Sequence, residues 1–265
     1  MPINSKIDSA VVIGAGHVST HFCHAMHESG IEIKTIYSRN KTHAEELTNK
    51  TGGVAVDSLD MLSTEADVYL ICVPDQAIGE IALHLKKYLS DQALVLHTSG
   101  QTSVGVLKSS FERSGIIYPL QSLHRDHMLS MNDVPLVTTV SENGDREVVS
   151  NFASRISEQV VEMNDEDRMK LHVPAVLVNN FVNYFYAEAW RLCQERNLPF
   201  KLFLPLIRQT AQRITEDSDP HSLQTGPAIR YDENTLLAHM EQLKHHPDLL
   251  TAYQVLTRNI QKMSK

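Results

Sequence analysis

Short apolar runs alternate with amphipathic stretches along the first 164 residues of the chain. The apolar runs that predict strands are 10–16, 31–38, 66–74, 93–100, 115–118, 134–140 and 160–163. The amphipathic stretches that predict helices are 18–29, 42–52 and 75–89. This alternation is typical of a mostly parallel sheet whose strands are joined by crossover helices, so an α/β domain is predicted.

The strand signals stop after Asn164. The helical patterns that follow are 165–196, 202–217, 233–245 and 247–263. The polar segment 217–234 carries Pro220, Gly226 and Pro227, which predicts a structured loop or a hinge between helices. We therefore expect two domains, an α/β domain over 1–164 and an all-α domain over 165–265.

Composition narrows the classes of function. Lys and Arg number 24 against 32 Asp and Glu, a formal charge of −8, which argues against nucleic acid as a partner. No apolar run reaches the ~18 residues of a membrane span, and residues 1–9 do not resemble a secretory signal, so we expect a cytoplasmic protein without membrane contact. The three cysteines are widely spaced and are expected to be buried small apolar side chains.

A glycine turn follows the first predicted strand and opens the first predicted helix. Its residues are Gly14, Ala15, Gly16, His17 and Val18, with Ser19 at the third small position. Gly14 permits a tight turn, and Gly16 lets the backbone approach a pyrophosphate at the start of the helix. In this context the turn predicts a dinucleotide-binding site, and the alternative is a plain tight turn.

The residues after the second predicted strand bear on the choice of cofactor. This position normally carries an acid when a free ribose 2′-hydroxyl is bound. Here the chain reads Ser38, Arg39 and Asn40, followed by Lys41, so donors and positive charge stand where a 2′-phosphate needs them. The pattern favours NADP over NAD. The alternative is that Arg39 and Lys41 are solvated charges at a strand end.

Two later strand ends belong to the same edge of the predicted sheet, where ligands of open parallel sheets bind. Val73, Pro74 and Gln76 are expected to line the ribose and nicotinamide side. His97, Thr98 and Ser99 are expected to present an imidazole and hydroxyls near the reactive ring. The alternative for His97 is a strand-end histidine bonded to backbone.

The stretch 173–185 is apolar enough to predict burial on most sides, yet it contains three asparagines. At 100° per residue, His172, Asn179 and Asn183 fall within ~20° of one line, with Asn180 on the flank. One interpretation is that His172 donates a proton while an asparagine orients a substrate carbonyl or imine. The other is that the asparagines bridge packed helices.

Histidines cluster on the first predicted helix, where His17, His21 and His24 stand at i, i+4 and i+7. No cysteine or acid completes a ligand set there, so we expect no metal site. In the late polar segment, Arg230 is a candidate for holding a substrate carboxylate because its planar fork can bind two oxygens at once. The alternative is a salt bridge to Asp232.

These motifs together resemble those of a known family. The stretches that carry the resemblance are AVVIGAGHVS (10–19), YSRN (37–40), CVPD (72–75), HTSG (97–100), YPLQS (118–122), KLHVPAVLVNN (170–180) and TGPAIRYDENT (225–235). They are similar to a family of bacterial oxidoreductases that looks related to pyrroline-5-carboxylate reductase, 6-phosphogluconate dehydrogenase and deazaflavin-dependent NADP oxidoreductases. The resemblance covers nearly the whole chain.

The resemblance implies a Rossmann-type, mostly parallel sheet domain followed by an all-α helical domain. It also implies NADP held by the glycine turn and residues 38–40, a homodimer with a shared cleft, and roles for His172, Asn180 and Arg230. The chain departs from the family pattern at Tyr118, where histidine is frequent, and at Tyr231, which interrupts Arg-Gly-Asp. The Lys–Asn pair of hydroxyacid dehydrogenases is not reproduced, since Pro174 is the fourth residue after Lys170.

We therefore expect an enzyme that transfers hydride between NADPH and a C=N or C=O bond of a small carboxylate-bearing molecule. The rival from another class is a non-catalytic NADP-binding sensor or scaffold. A weaker third reading is an adenosylmethionine-dependent transferase, which usually carries an acid at the second strand end.

Overall fold

The computed structural model describes residues 6–263, apart from the side chain of Asn143. Within these residues one sheet is formed by β1 (Ser9–Ile13), β2 (Glu32–Tyr37), β3 (Val54–Val56), β4 (Val68–Ile71), β5 (Val95–His97), β6 (Ser114–Pro119), β7 (Leu136–Val140) and β8 (Val160–Glu162). The strand order is β3-β2-β1-β4-β5-β6-β7-β8. Neighbouring strands are parallel except β6 and β7, which are antiparallel. The predicted Rossmann-type, mostly parallel sheet is confirmed.

Helices cover both faces of this sheet. They are α1 (His17–Glu28), α2 (Lys41–Thr51), α3 (Asp75–Leu85), α4 (Gly105–Lys108) and α5 (Arg146–Ser154). Successive residues of β1 point to opposite faces, as a strand requires. Ala10 and Val12 pack in the core with α1, α2 and α5, whereas Val11 and Ile13 pack in the core with α3 and α4. The all-apolar β1 is explained by this burial on both sides.

From Asp165 to Met263 the regular elements are all helices, as predicted. Its helices are α6 (Asp165–Lys170), α7 (His172–Ala175), α8 (Val182–Glu195), α9 (Leu204–Gln212), α10 (Glu233–Gln242) and α11 (Pro247–Met263). The described part of the chain forms two compact units that divide between Asn179 and Asn180. The functional division predicted after Asn164 stays a prediction.

The predicted helix over 165–196 is not regular. A π-helical stretch, Val176–Phe181, separates α7 from α8. Because a π-helix turns by less than 100° per residue, the line drawn through His172, Asn179 and Asn183 does not hold across it. Pro174 is the only signal in the sequence for this π-helical stretch.

The burial predicted for 173–185 is wrong for the single chain. None of these residues is buried, and Val178 is 75% exposed. An apolar pattern reports that a surface avoids water, but it does not say whether the same chain or another one covers it. Within residues 6–263, no helix is both long and apolar enough to cross a membrane.

Candidate functional site

A cavity of about 350 Å³ opens at the carboxyl ends of β1, β2 and β4. Its lining residues are Gly14, Ala15, Gly16, Tyr37, Ser38, Arg39, Asn40, His43, Cys72, Val73 and Pro74. Residues that the sequence predicted from three separate strand ends are thus brought together. This follows from the topology, since parallel strands end at one edge of the sheet and β1 lies between β2 and β4.

The two glycines of the turn have different reasons to lack a side chain. Gly14 has φ +115°, and a Cβ there would lie 2.2 Å from the Cys72 carbonyl oxygen, so the fold itself requires glycine. Gly16 has φ −97°, and a Cβ there would meet nothing within 4 Å. The protein's own packing therefore does not exclude a side chain at Gly16, and the open space beside it is available to a ligand.

The start of α1 is suited to an anion. The Gly16 cap makes no side-chain hydrogen bond, and the first turn of α1 contains no acid. Free backbone N–H groups and the positive end of the helix dipole both favour negative charge at this point. A dinucleotide pyrophosphate fits the space beside Gly16 and this chemistry.

The turn from β2 into α2 also lines the cavity. Asn40 caps α2, and its side chain accepts a hydrogen bond from the Thr42 N–H at 3.2 Å. Arg39 is exposed and forms no ion pair with any of residues 6–263. His43 also lines the cavity and was missed by sequence reasoning, although its place in the first turn of α2 was a usable signal. A guanidinium and an imidazole thus face the place predicted for the 2′-phosphate.

His97, predicted to contact the cofactor, is fully buried at the end of β5. Its Nδ1 accepts a hydrogen bond from the Ser99 N–H at 3.1 Å, so the ring proton is on Nε2, which has no partner among the described residues. Burial, reinforced by the nearby Arg168 guanidinium, lowers the pKa of His97 to about 4. The imidazole is neutral near pH 7 and is bonded to backbone, the alternative that the sequence left open. Its contact with the cofactor stays a prediction.

A buried arginine holds the loop that follows β5. Arg168 is fully buried, and its Nη atoms donate to the Ser99 carbonyl at 2.9 Å and the Thr102 carbonyl at 2.8 Å. Nη2 also pairs with Asp165 at 2.6 Å. Ser99 in turn donates from its hydroxyl to Asp75, the first residue of α3, at 2.8 Å. The sequence did not predict this network, because Arg168 lies among acids in a segment that reads as a solvated helix.

The burial predicted for the three cysteines is confirmed for Cys23 and Cys193. Cys72 is half-buried and lines the cavity. Burial raises the pKa of Cys72 to about 12, so its thiol stays protonated and is a poor nucleophile. Tyr118 packs against Gly100, since a Cβ on Gly100 would lie 2.7 Å from the tyrosine ring.

Two of the α1 histidines bind backbone. The Nδ1 atom of His17 accepts a hydrogen bond from the Arg125 N–H at 3.1 Å. The Nε2 atom of His21 accepts from the Leu129 N–H at 3.3 Å, so its Nδ1 carries the proton and donates to the His17 carbonyl at 2.9 Å. Within residues 6–263, no three His, Cys, Asp or Glu side chains are grouped as a metal site.

The remaining candidates belong to different units, His172 to the first and Asn180 and Arg230 to the second. His172 is exposed on α7, and Asn180 is exposed in the π-helical stretch. Arg230 is exposed in the turn before α10 and forms no ion pair with Asp232, which instead caps α10 by accepting a hydrogen bond from the Thr235 N–H at 3.2 Å. The roles of His172, Asn180 and Arg230 stay predictions, as do those of Val18, Gln76 and Thr98.

The sheet order, the glycine turn and the cavity define the class: a Rossmann-type dinucleotide-binding protein. Residues 134–260 match the model of a domain of unknown function, DUF2520, and residues 9–100 match the model described as NADP oxidoreductase, coenzyme F420-dependent. A structure described as a candidate NADP oxidoreductase from Bacteroides fragilis is 31% identical over 97% of this chain and 99% of that chain, with a TM-score of 0.91. The chain belongs to this family of NADP oxidoreductases, and NADP is its cofactor.

More distant structures share the fold. An imine reductase from Myxococcus stipitatus in complex with NADP⁺ has a TM-score of 0.66 at 15% identity, over 96% of this chain and 94% of that chain. A Plasmodium falciparum pyrroline carboxylate reductase with NADP bound has a TM-score of 0.61 at 16% identity, over 97% of this chain and 98% of that chain. No curated protein matches the chain. These likenesses show that the predicted Rossmann-type fold is shared with these proteins.

Proposed function

We propose that this NADP-dependent oxidoreductase transfers hydride between NADPH and a C=N or C=O bond of a small molecule that carries a carboxylate. The observation that carries the proposal is the cavity at the carboxyl ends of β1, β2 and β4, with an open approach to Gly16 and an unpaired Arg39. The imine and pyrroline carboxylate reductases that share the fold support the C=N bond as a target.

Each part of the site has a role in this proposal. The start of α1 holds the pyrophosphate, while Ser38, Arg39 and Asn40 hold the 2′-phosphate. Val73, Pro74 and Gln76 line the ribose and nicotinamide, and the loop after β5 supports the ring. When bound, NADPH supplies the hydride, and the protein supplies orientation and a proton.

The proton donor and the substrate contacts are assigned to residues that follow Asn164 in the chain. His172 donates the proton, because the other candidate imidazole, His97, is neutral and buried. Asn180 orients the reacting carbonyl or imine. Arg230 binds the substrate carboxylate with its fork. These three side chains are all exposed in the single chain.

We also propose a homodimer. Among the described residues after Asn179, the buried apolar side chains are Cys193, Ala228, Leu236, Leu243 and Leu249. Exposed ones include Phe181, Trp190, Leu198, Leu202, Leu206 and Val255. So few buried side chains give a helical unit little hydrophobic stabilisation of its own, and monomers rarely expose so much apolar surface. We propose that a second copy of the chain covers this exposed apolar surface. A cytoplasmic location and the lack of a nucleic-acid partner stay predictions.

The proposed reaction is tested by a screen of cyclic imines and keto acids that follows the loss of NADPH absorbance. For an accepted substrate, we expect His172→Ala to lower kcat and Arg230→Ala to raise KM, while His245→Ala and Arg208→Ala, which change exposed residues of the same types, leave both unchanged. A protein that binds NADPH but turns over no member of either class, with unchanged binding in all four variants, is the sensor and not the proposed enzyme.

A further inference from the structure

A second, smaller cavity adjoins the cofactor cavity. It has a volume of about 160 Å³ and shares Ala15 and His43 with the larger one. On the far side it is lined by Arg125, from the loop between β6 and β7, and by Lys50, from α2. The space around Ala15 and His43 is therefore bordered by Arg39 in one cavity and by Arg125 in the other.

The backbone of this loop is fixed to the first two turns of α1. The Arg125 N–H donates to His17 Nδ1 at 3.1 Å, and the rings of His124 and His17 are stacked with centroids 4.4 Å apart. Four residues later, the Leu129 N–H donates to His21 at 3.3 Å. His17 is the first residue of α1. The chain thus holds Arg125 beside the glycine turn by two separate anchors.

The cations at this place lack strong partners. The carboxylate nearest to the Arg125 guanidinium is that of its neighbour Asp126, at 4.0 Å. Arg39 and Lys50 form no ion pair with any of residues 6–263. Glu46 and Asp126 also line the smaller cavity, so the local charge is mixed until an anion is present. In a chain with a formal charge of −8, a group of cations around one opening, of which only Arg125 has a carboxylate partner among the described residues and that at 4.0 Å, favours a multiply charged anion.

We propose that Arg125 is a specificity residue for the cofactor, which grips the 2′-phosphate of NADP from the side opposite Arg39. The inference rests on the proposed placement of the cofactor in the cavity beside Gly16. His17 and His21 are positioning residues in this arrangement, because they hold the loop and line neither of the two cavities. The 2′-phosphate is preferred to the pyrophosphate because the cavity that Arg125 lines extends to His43 in α2, the helix that follows the turn 38–40.

The test is calorimetric titration of the full-length protein with NADPH, NADH and 2′,5′-ADP, which carries the 2′-phosphate without a pyrophosphate. For Arg125→Gln we expect the Kd of NADPH and of 2′,5′-ADP to rise about tenfold or more, and the Kd of NADH to change less than about twofold. Arg125→Lys should recover part of the loss. Lys87→Gln, which removes one exposed positive charge just after α3, should change none of the three Kd values.

Two outcomes overturn the inference, and Arg39→Gln shows whether the cofactor placement fails with it. An equal loss of NADPH and NADH affinity overturns the inference, because Arg125 would then contact a group that both cofactors share. No loss of either also overturns it. If Arg39→Gln lowers NADPH affinity while Arg125→Gln does not, the inference fails alone and the cofactor placement survives; if neither variant matters, the placement fails as well.

Discussion

At the scale of single residues, the two glycines of the turn separate what the fold needs from what the cofactor needs. A Cβ on Gly14 would collide with the Cys72 carbonyl, whereas a Cβ on Gly16 would enter open space. A motif match gives both glycines the same weight. The backbone geometry shows that only one of them is required by the packing of the chain.

We predict that Gly14→Ala lowers the free energy of unfolding by more than ~2 kcal/mol, because it combines a positive φ with a backbone clash. Gly16→Ala should change the free energy of unfolding by less than ~1 kcal/mol, since the native φ suits alanine. Its Kd for NADPH should nevertheless rise about tenfold or more, because the methyl group fills the approach to the pyrophosphate. Urea unfolding and calorimetry measure the two effects. A Gly16→Ala protein that binds NADPH like the wild type contradicts the assignment.

His97 makes the stability of the fold depend on pH. Burial lowers its pKa from 6.5 to about 4, so the unfolded chain binds a proton at a higher pH than the folded one. The unfolded state therefore binds more protons between pH 6.5 and 4, and stability is lost as the pH falls through that window, by on the order of 3 kcal/mol in total. Above pH 6.5 the contribution of this residue is constant.

We predict that His97→Asn flattens this part of the pH profile. The asparagine Oδ1 can replace Nδ1 as the acceptor for the Ser99 N–H, but it does not titrate. Urea midpoints measured from pH 7 to 4 check the difference from the wild type, and His245→Asn, at an exposed histidine, provides the control. Equal slopes for the wild type and His97→Asn below pH 6.5 would show that the imidazole is not held neutral.

At the scale of elements, the Arg168 guanidinium joins α6 to the loop after β5. It donates to two carbonyls of that loop and to Asp165, which also accepts a hydrogen bond from the Val104 N–H at 3.2 Å. A buried charge that loses its partners is strongly destabilising. The loop therefore owes its order to a side chain that lies more than sixty residues away in sequence.

We predict that Arg168→Met lowers the free energy of unfolding by about 3–5 kcal/mol and speeds hydrogen exchange over residues 98–104. Arg146→Met, which removes the surface pair with Glu162, should cost at most about 1 kcal/mol. Urea unfolding with hydrogen-exchange mass spectrometry measures both. An Arg168→Met protein with wild-type exchange in this loop would show that the arginine does not hold it.

The sequence predicted most of the sheet, because β1 and β4 are apolar runs and β2 is a mixed run with polar residues at Glu32 and Lys34, each bounded by glycine or polar turns. It missed β3, whose three residues are too short to show a period, and α5, although the Asn-Gly-Asp turn directly before this helix was a usable signal. The ends of β1, β2 and β4 located the cofactor cavity, since topology alone brings them together. The contacts of Arg168 and Arg125 were out of reach because no local pattern encodes pairing between distant segments.

At the scale of the whole molecule, the exposed apolar side chains after Asn179 are the main argument for a second copy of the chain. Sedimentation velocity of the wild type should give a dimer. Leu202→Glu combined with Leu206→Glu should shift it toward monomer, because two charges would be buried at the proposed interface. Leu83→Glu changes a comparably exposed leucine on α3 and should leave the dimer intact. A wild-type monomer at micromolar concentration contradicts the proposed assembly.

The most direct test of the central claim is calorimetric titration of the wild-type chain with NADPH, NADH and adenosylmethionine. We predict that one NADPH binds per chain, at least about tenfold more tightly than NADH. In Arg39→Asp the preference for NADPH over NADH should narrow, because the charge beside the 2′-phosphate is reversed. Failure of NADPH to bind, tighter binding of adenosylmethionine, or an unchanged NADPH to NADH ratio in Arg39→Asp would contradict it.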